Sequence, residues 1–380
     1  MKKWISAFCL VSLGVLSSFR PAPFFDRPQS PYWKKNVEKS LPRMGDKENR
    51  EAWVYTLKTY LDAKEWHLLG LMARAAINDG MNISHLEKLA EGSRSIPFTN
   101  AVQATKRIRA LSSDLDMTKG ELFRMALFLE TELDKALAST GNYLSRKKTG
   151  FGCTIEHDPV TKMTFLHLNS KGIDALGKGV KKQVTRSIRY DSKRPEMVAC
   201  CRTSIPLPTE IEALNTMKEA KGIVKLYATT ERLSKDNVKI YTLFCELYRG
   251  GSLSQSLDKK QRFSFKQKLD IAHQLLTGLE ELHEQKLIHR DLTTRNVLLD
   301  YDKVGKRRSR QIKAVLCDLG RTIELEKALA VKPQANMAYM PPEGIIYEKL
   351  EGKDYFATDI YALGCVFTSF YREKNAPGST

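Results

Sequence analysis

The sequence predicts an α+β chain: an all-α region first, then a small β-rich lobe, then a larger helical lobe. Three observations predict it. Between Arg50 and about Ala138 apolar residues recur three and four apart, the spacing of amphipathic helices. From residue 150 to about Glu246 short strand-like segments take over, broken by turn residues. From Phe263 the helical spacing returns in FSFKQKLDIAHQLLTGLEELHEQ, which runs directly into the polar stretch HRDLTTRNVLL. A sheet-rich part followed by a helix-rich part reads as two lobes.

The elements follow in order. Residues 1–20 contain two lysines and then a mostly apolar run, with arginine and prolines beyond, which is the pattern of a secretion signal or signal-anchor. The run is short for a membrane span, which needs ~20 residues. A buried N-terminal helix is the alternative. The signal reading implies export, as in a secreted effector, or membrane association through residues 4–19; the other leaves the chain cytoplasmic. Residues 21–50 are rich in proline and charge and read as a linker. Residues 51–148 form the helical region. WVYTLKTYLDAKEWHLLGLMARAAI is its first long stripe, Asn82-Ile83-Ser84 breaks it, and Ser84 is the expected cap of HLEKLAEG. His67 and His85 stand alone there and read as structural or solvated. Residues 150–380 form the second domain, opening with two strands around an Asp158-Pro159 turn. In its long helix the expected core positions are Leu269, Ile271, Leu275, Leu276, Leu279 and Leu282.

Composition narrows the chemistry only slightly. The 380 residues are 42% hydrophobic and 28% charged, as in ordinary globular chains. A net charge of +18 favours acidic partners. No zinc-finger spacing and no aromatic-studded basic stretch accompanies it, so specific nucleic-acid binding is not expected. The seven cysteines are irregularly spaced, contain no C-x-x-C and lie mostly in apolar runs, which reads as reduced, buried thiols.

The chemistry lies in HRDLTTRNVLL and its surroundings. A polar turn entering a strand is the plain reading of that stretch. Its residues, however, resemble the protein-kinase catalytic loop H-R-D-L-x-x-x-N. Other motifs of that family follow in the correct order. Leu176-Gly177-Lys178-Gly179-Val180-Lys181-Lys182-Gln183-Val184 resembles its glycine-rich loop, with Lys182 at the third-glycine position. Val198-Ala199-Cys200-Cys201-Arg202 resembles its third strand, with Cys201 where the phosphate-binding lysine stands. The with-no-lysine kinases carry this same pair of substitutions, so the resemblance implies that Lys182 reaches the phosphates. Arg202 is the alternative, although strand alternation sends its side chain to the other face from residue 201.

The resemblance also implies the remaining parts. Glu210, or Glu212 in reserve, would orient the lysine. Gly177, Gly179, Val184 and Ala199 would line the nucleotide, Cys245 would be the gatekeeper, and Glu246 and Tyr248 would lie along the adenine. Asp291 would take the acceptor's proton, while Asn296 and Asp318 of Asp318-Leu319-Gly320 would hold metal. Thr293 replaces a lysine that many serine/threonine kinases place two after the aspartate, and Arg295 is similar to the tyrosine-kinase version of the loop. Tyr339-Met340-Pro341-Pro342-Glu343 resembles the end of the activation segment, with Thr322, Tyr339 and Tyr347 as hydroxyls nearby. Asp359 begins the pattern of the helix that braces the catalytic loop. The basic stretch DKVGKRRSRQIK reads as a solvated loop. The family usually continues through further helices beyond the position of Thr380, so the large lobe reads as truncated and Glu343 as lacking its arginine. The implied fold is protein-kinase-like and bilobal. The implied function is ATP- and magnesium-dependent phosphoryl transfer to a Ser, Thr or Tyr hydroxyl of a protein substrate. The alternative is a pseudokinase serving as a binding or scaffold module.

Overall fold

The computed structural model describes residues 47–371 apart from 112–116, 146–148, 152, 169–174, 179–181, 192, 235, 302–310, 332–335, 347–349, 351 and 353. The targeting segment 1–20, most of the 21–50 linker, Gly179 and Tyr347 therefore lie outside the described residues. The chain divides into two compact units, the first taking residues up to 105 with 117–135 and 145–151, the second taking the rest.

The first unit is helical. Its elements are α1 (Lys47–Asp62), α2 (Trp66–Asn78), α3 (Ile83–Ser93), the start of α4 (Ile96–Leu111), α5 (Lys119–Thr131) and the start of α6 (Leu133–Thr140). The expected cap is displaced by two residues: Asn82, not Ser84, sits in the extended N-cap conformation, and its side chain accepts from the Ser84 N–H. Thr118 and Glu121 form a reciprocal capping box at the start of α5. That helix is buried on nearly every side, packs along α2, and sets Phe123 edge-on to Phe98 at 5.7 Å.

The second unit opens with β1 (Tyr143–Leu144), β2 (Cys153–His157), β3 (Thr164–Leu168), β4 (Ala175–Lys178), β5 (Gln183–Tyr190) and β6 (Glu196–Thr203). Then come α7 (Pro208–Thr216), β7 (Leu226–Leu233) and β8 (Lys239–Glu246). The strands pair antiparallel in the order β1-β2-β3-β5-β6-β8-β7, with β4 on β5. Side chains join the two ends of that order. Thr230 on β7 donates to Glu156 on β2, and the Arg232 guanidinium lies 4.6 Å from the centre of the Tyr143 ring on β1. The sheet is thus rolled around Phe165, stacked on Phe244 at 3.6 Å, with Val198 and Cys200. The same interior holds His167, whose ring bonds Ser187 Oγ at 2.7 Å and Glu156 at 2.9 Å.

The larger lobe comprises β9 (Gly251–Ser252), α8 (Leu253–Asp258), α9 (Phe265–Glu284), β10 (Leu287–Ile288), β11 (Val297–Tyr301) and β12 (Ile312–Leu316). It continues with β13 (Ile323–Glu324), α10 (Leu325–Ala328), α11 (Pro342–Ile346) and α12 (Asp354–Tyr371). Ser264 and Gln267 cap α9 reciprocally. Ile271, Leu275, Leu279 and Leu282 of α9 are buried as expected, whereas Leu269 and Leu276 are exposed. Six apolar residues over one helix exceed the arc that a one-sided core covers, and the two outliers lie together to one side of it.

One core joins the two lobes: Leu214, Leu226 and Leu243 from the small lobe meet Leu275, Leu316 and Leu319 from the large one. A backbone seam reinforces it. Val224 N–H donates to Leu316 O at 2.9 Å and Leu316 N–H to Gly222 O at 2.8 Å. Gly222 lies against Gly278 of α9 so closely that a Cβ on Gly278 would stand 2.5 Å from Gly222 O. Only glycine permits that approach. Among the described residues no helix is long and apolar enough to cross a membrane.

Candidate active site

Lys182 immediately precedes β5, and register carries it to the inner wall of the small lobe. β5 pairs with β6 so that Val184 stands opposite Cys201, and Gly177 of β4 stands opposite Val184. Ala199 pairs with Cys245 of β8. Glu210 lies in the first turn of α7, which Pro208 opens in the position suited to a residue without an N–H. Asp318 follows β12 with φ +62°, the left-handed region that a non-glycine residue occupies only under constraint.

These elements bring three groups together. Lys182 Nζ donates to Glu210 Oε1 at 2.9 Å and Oε2 at 2.7 Å, and to Asp318 Oδ1 at 2.5 Å. Burial disfavours the ammonium, but Glu210 and Asp318 outweigh it and hold the Lys182 pKa above the ordinary lysine range. Glu210 is 5% exposed. Its burial pushes the carboxyl pKa up, with Lys182 opposing. The Cys201 thiol is pushed up to about 12 by burial, Lys182 opposing, and stays neutral. Gly320 packs against the trio: a Cβ there would sit 3.3 Å from Asp318 Oδ1 and 3.4 Å from Glu210 Oε2. Leu319 is fully buried in the core and fills its apolar slot.

Arg202 takes the opposite face, as alternation requires, with its guanidinium 3.7 Å from the buried Glu156. Glu212 makes no contact with Lys182 among the described residues. Of the two glutamates on α7, Glu210 is therefore the one brought to the lysine.

In the catalytic loop, Asn296 Nδ2 donates to Asp291 O at 2.7 Å and to its Oδ2 at 3.3 Å. The Asp291 N–H donates to His289 Nδ1, which places the His289 ring proton on Nε2, facing Cys317 O at 3.2 Å. Asp359, 1% exposed, accepts from the N–H of His289 at 2.7 Å and of Arg290 at 2.9 Å. This bracing lets Arg290 hold φ +63°. Cys317 N–H bonds Asn296 O at 2.9 Å, so the Asn296 and Asp318 segments lie side by side.

In the segment that the resemblance sets along the adenine, Glu246 N–H is committed to Lys225 O at 2.9 Å. The Tyr248 hydroxyl donates to Glu246 Oε2 at 2.8 Å, and Lys313 of β12 reaches Glu246 at 3.0 Å. The side chains of Glu246 and Tyr248 are therefore engaged with each other and with Lys313. Thr322, read from sequence as an activation-segment hydroxyl, is 1% exposed, and Tyr339 is half-buried against the core. Cys200, Cys201, Cys245, Cys317 and Cys365 are free thiols.

Sequence reasoning missed His283, whose Nε2 lies 3.0 Å from Asp359 Oδ2. It also missed Arg321, whose Nε lies 3.9 Å from Asp291 Oδ2. His283 sits in the last turn of the helix feeding the loop, which is a usable signal. Arg321 carries no such signal.

Fold and site define a class of protein. The chain belongs to the protein kinase domain family, which residues 175–377, more than half of its length, match. The strands β1–β3 precede that match yet share its sheet. Among relatives, the mitogen-activated protein kinase kinase kinase 1b of Physcomitrium patens is 34% identical over 139 residues, covering 37% of this chain and 16% of the relative. A probable serine/threonine-protein kinase WNK6 of Oryza sativa subsp. japonica is 32% identical over 161 residues, covering 42% and 33%. The serine/threonine-protein kinase PKH3 of Eremothecium gossypii is 29% identical over 215 residues, covering 52% and 27%. The chain thus spans a third or less of the length of these relatives.

Proposed function

We propose that the chain binds ATP with magnesium and transfers its terminal phosphoryl group to a hydroxyl of a protein substrate. The observation that carries this is Lys182, bonded at once to Glu210 and Asp318. A phosphate site with a neutral thiol at residue 201 needs a cation from elsewhere, and Lys182, held by a buried glutamate beside Asp318, supports that reading over a decayed site. The with-no-lysine arrangement explains both substitutions together.

In this reading Glu210 fixes Lys182, which meets the phosphates. The backbone around Gly177, Gly179, Val184 and Ala199 covers the nucleotide, and the backbone of Glu246 and Tyr248 reads the base. Asp291 orients the acceptor hydroxyl and takes its proton, and Asn296 holds Asp291 in place. A carboxylate from Asp318 and an amide oxygen from Asn296 are hard donors on adjoining segments. They fit magnesium, which binds through one or two protein oxygens with phosphates completing its shell. Bound there, the metal would neutralise phosphate charge. Residues 1–20 are proposed to direct export or membrane association.

The test is a thermal shift with ATP and magnesium together with labelled-ATP phosphorylation by the full chain. A shift that Asp318→Ala removes, with label transferred to protein, is expected. Nucleotide binding without transfer supports the scaffold alternative instead. No shift with any nucleotide rejects the proposal.

A further inference from the structure

The helical unit holds a cavity that phosphoryl transfer does not use. It lies between α2 and α5, walled by the rings of Trp66, Phe128 and Phe151, with Gly70 and Arg124 completing the lining. It encloses about 10 Å³, room for one water-sized group. His67 also lines it and is exposed, so the cavity reaches the surface there.

Arg124 is the member that packing does not account for. It is 8% exposed. Its guanidinium lies 5.0 Å from the centre of the Phe151 ring. Among the described residues it meets no carboxylate or carbonyl at bonding distance. Burial lowers its pKa to about 10, Arg74 adding to the effect and Glu132 and Glu121 opposing it, so the group stays charged at neutral pH. Glu121 is engaged in its capping box with Thr118. Arginine is almost never fully buried unless paired, because a lone buried charge is costly. The Phe151 contact offsets only part of that cost. Gly70 leaves space for the side chain, since a Cβ there would stand 3.3 Å from Arg124 Cγ.

Aromatic walls around one unpaired cation have the make-up of a small-ligand site, with apolar surface for bulk and a polar group for orientation. The planar fork of a guanidinium matches the two oxygens of a carboxylate. The enclosed space suits a carboxylate tip better than a bulkier phosphoryl group.

We propose that this cavity binds the carboxylate of a small organic acid, its oxygens on Arg124 and its apolar body against Trp66 and Phe151. The site lies wholly within the helical unit, and the inference does not rest on the kinase reading. Glu132 lines the same cavity and acts against an incoming anion. Burial raises its carboxyl pKa, with Lys135 and Arg124 opposing. Arg124 and Glu132 therefore have opposite effects on affinity, which a purely architectural role for either would not produce.

The experiment is titration of the full chain with benzoate, acetate, uncharged benzamide and inorganic phosphate, read by tryptophan fluorescence and thermal shift. Trp66→Phe keeps an aromatic wall and removes the reporting ring, which identifies the signal. Benzoate should bind more tightly than acetate, and benzamide and phosphate should leave the Trp66 signal unchanged. Arg124→Met should weaken benzoate by about tenfold or more, the loss of one charged hydrogen-bonded pair. Arg124→Lys should fall between, and it carries the test if Arg124→Met does not fold. Glu132→Gln should tighten binding. Equal binding of benzamide and benzoate overturns the proposal, as does benzoate binding that the Arg124 variants leave unchanged or that Glu132→Gln weakens. A Trp66 response to phosphate alone overturns the carboxylate assignment, and no response to any of the four overturns the site.

Discussion

Replacing Lys182 by alanine removes the cation shared by Glu210 and Asp318, and the structure sets the size of the effect. The Glu210 contacts, at 2.9 and 2.7 Å, involve side chains that are 22% and 7% exposed. Breaking a buried pair by removing one partner costs about 3–5 kcal/mol, and the partial exposure of Lys182 places this case near the lower figure. Asp318 is 41% exposed, so solvent screens its share and adds little. At roughly 3 °C per kcal/mol, a loss of about 3 kcal/mol lowers Tm by on the order of 10 °C. Glu210 already has a pKa raised by burial. Without Lys182 it rises further. A carboxyl with a raised folded-state pKa contributes stability below its unfolded value that is lost as pH rises through the folded value. The Tm deficit of Lys182→Ala should therefore shrink as pH falls below that of neutral buffer. In the phosphorylation assay, turnover should drop ~100-fold or more, because the lost contact is strongest in the transition state. Lys178→Ala and Lys181→Ala should keep most activity. Lys182→Gly with Cys201→Lys should restore part of it, since residue 201 lies beside the same carboxylates. Intact phosphorylation by Lys182→Ala would refute the reasoning and leave its bonds to Glu210 and Asp318 as architecture only.

Gly278→Ala should destabilise the second unit by about 1–3 kcal/mol, because the new methyl meets the Gly222 backbone at 2.5 Å; an unchanged urea midpoint would show that the seam yields freely. Glu156 should govern acid stability. Burial pushes its pKa up, but the hydrogen bond and charge of His167, the Thr230 bond and Arg202 overcome this and bring it down to about 2. Burial also lowers the His167 pKa, with the Glu156 bond opposing. A depressed carboxyl contributes stability above its unfolded pKa that is lost on descent to the folded value, so the free energy of unfolding should fall between about pH 4.5 and 2 by on the order of 3 kcal/mol, and Tm with it. Glu156→Gln should flatten that slope, and a slope that survives would assign acid sensitivity to other groups. A chain beginning at residue 26 should lose the membrane-bound or exported fraction expected of the full chain, and identical fractionation of the two would count against targeting by residues 1–20.

The sequence by itself determined the family motifs, their candidate site residues and their order along the chain. Asp291, Asn296 and Asp318 stand in local motifs whose spacing survives any packing. The exchange of Lys182 for Cys201 was legible because both positions lie in recognisable strand and loop contexts, and strand alternation alone sent Arg202 away. Boundaries and caps were legible only to within a residue or two, as Asn82 shows, since neighbouring polar residues compete for one cap. What the tertiary structure decided are relations between segments distant in sequence. Glu210 rather than Glu212 meets Lys182 because two residues apart on a helix stand about 200° around its axis, so only one of them can face the lysine. Leu269 and Leu276 lie outside the core because the width of the buried arc depends on neighbours that periodicity does not reveal. Strands β1–β3 joined the sheet, and Glu156 met Thr230, because the sheet rolled, and rolling is a property of the whole sheet rather than of any strand. Arg321 came to Asp291 across thirty residues because Arg290 pins its backbone, a bond between two segments that no pattern within either one encodes.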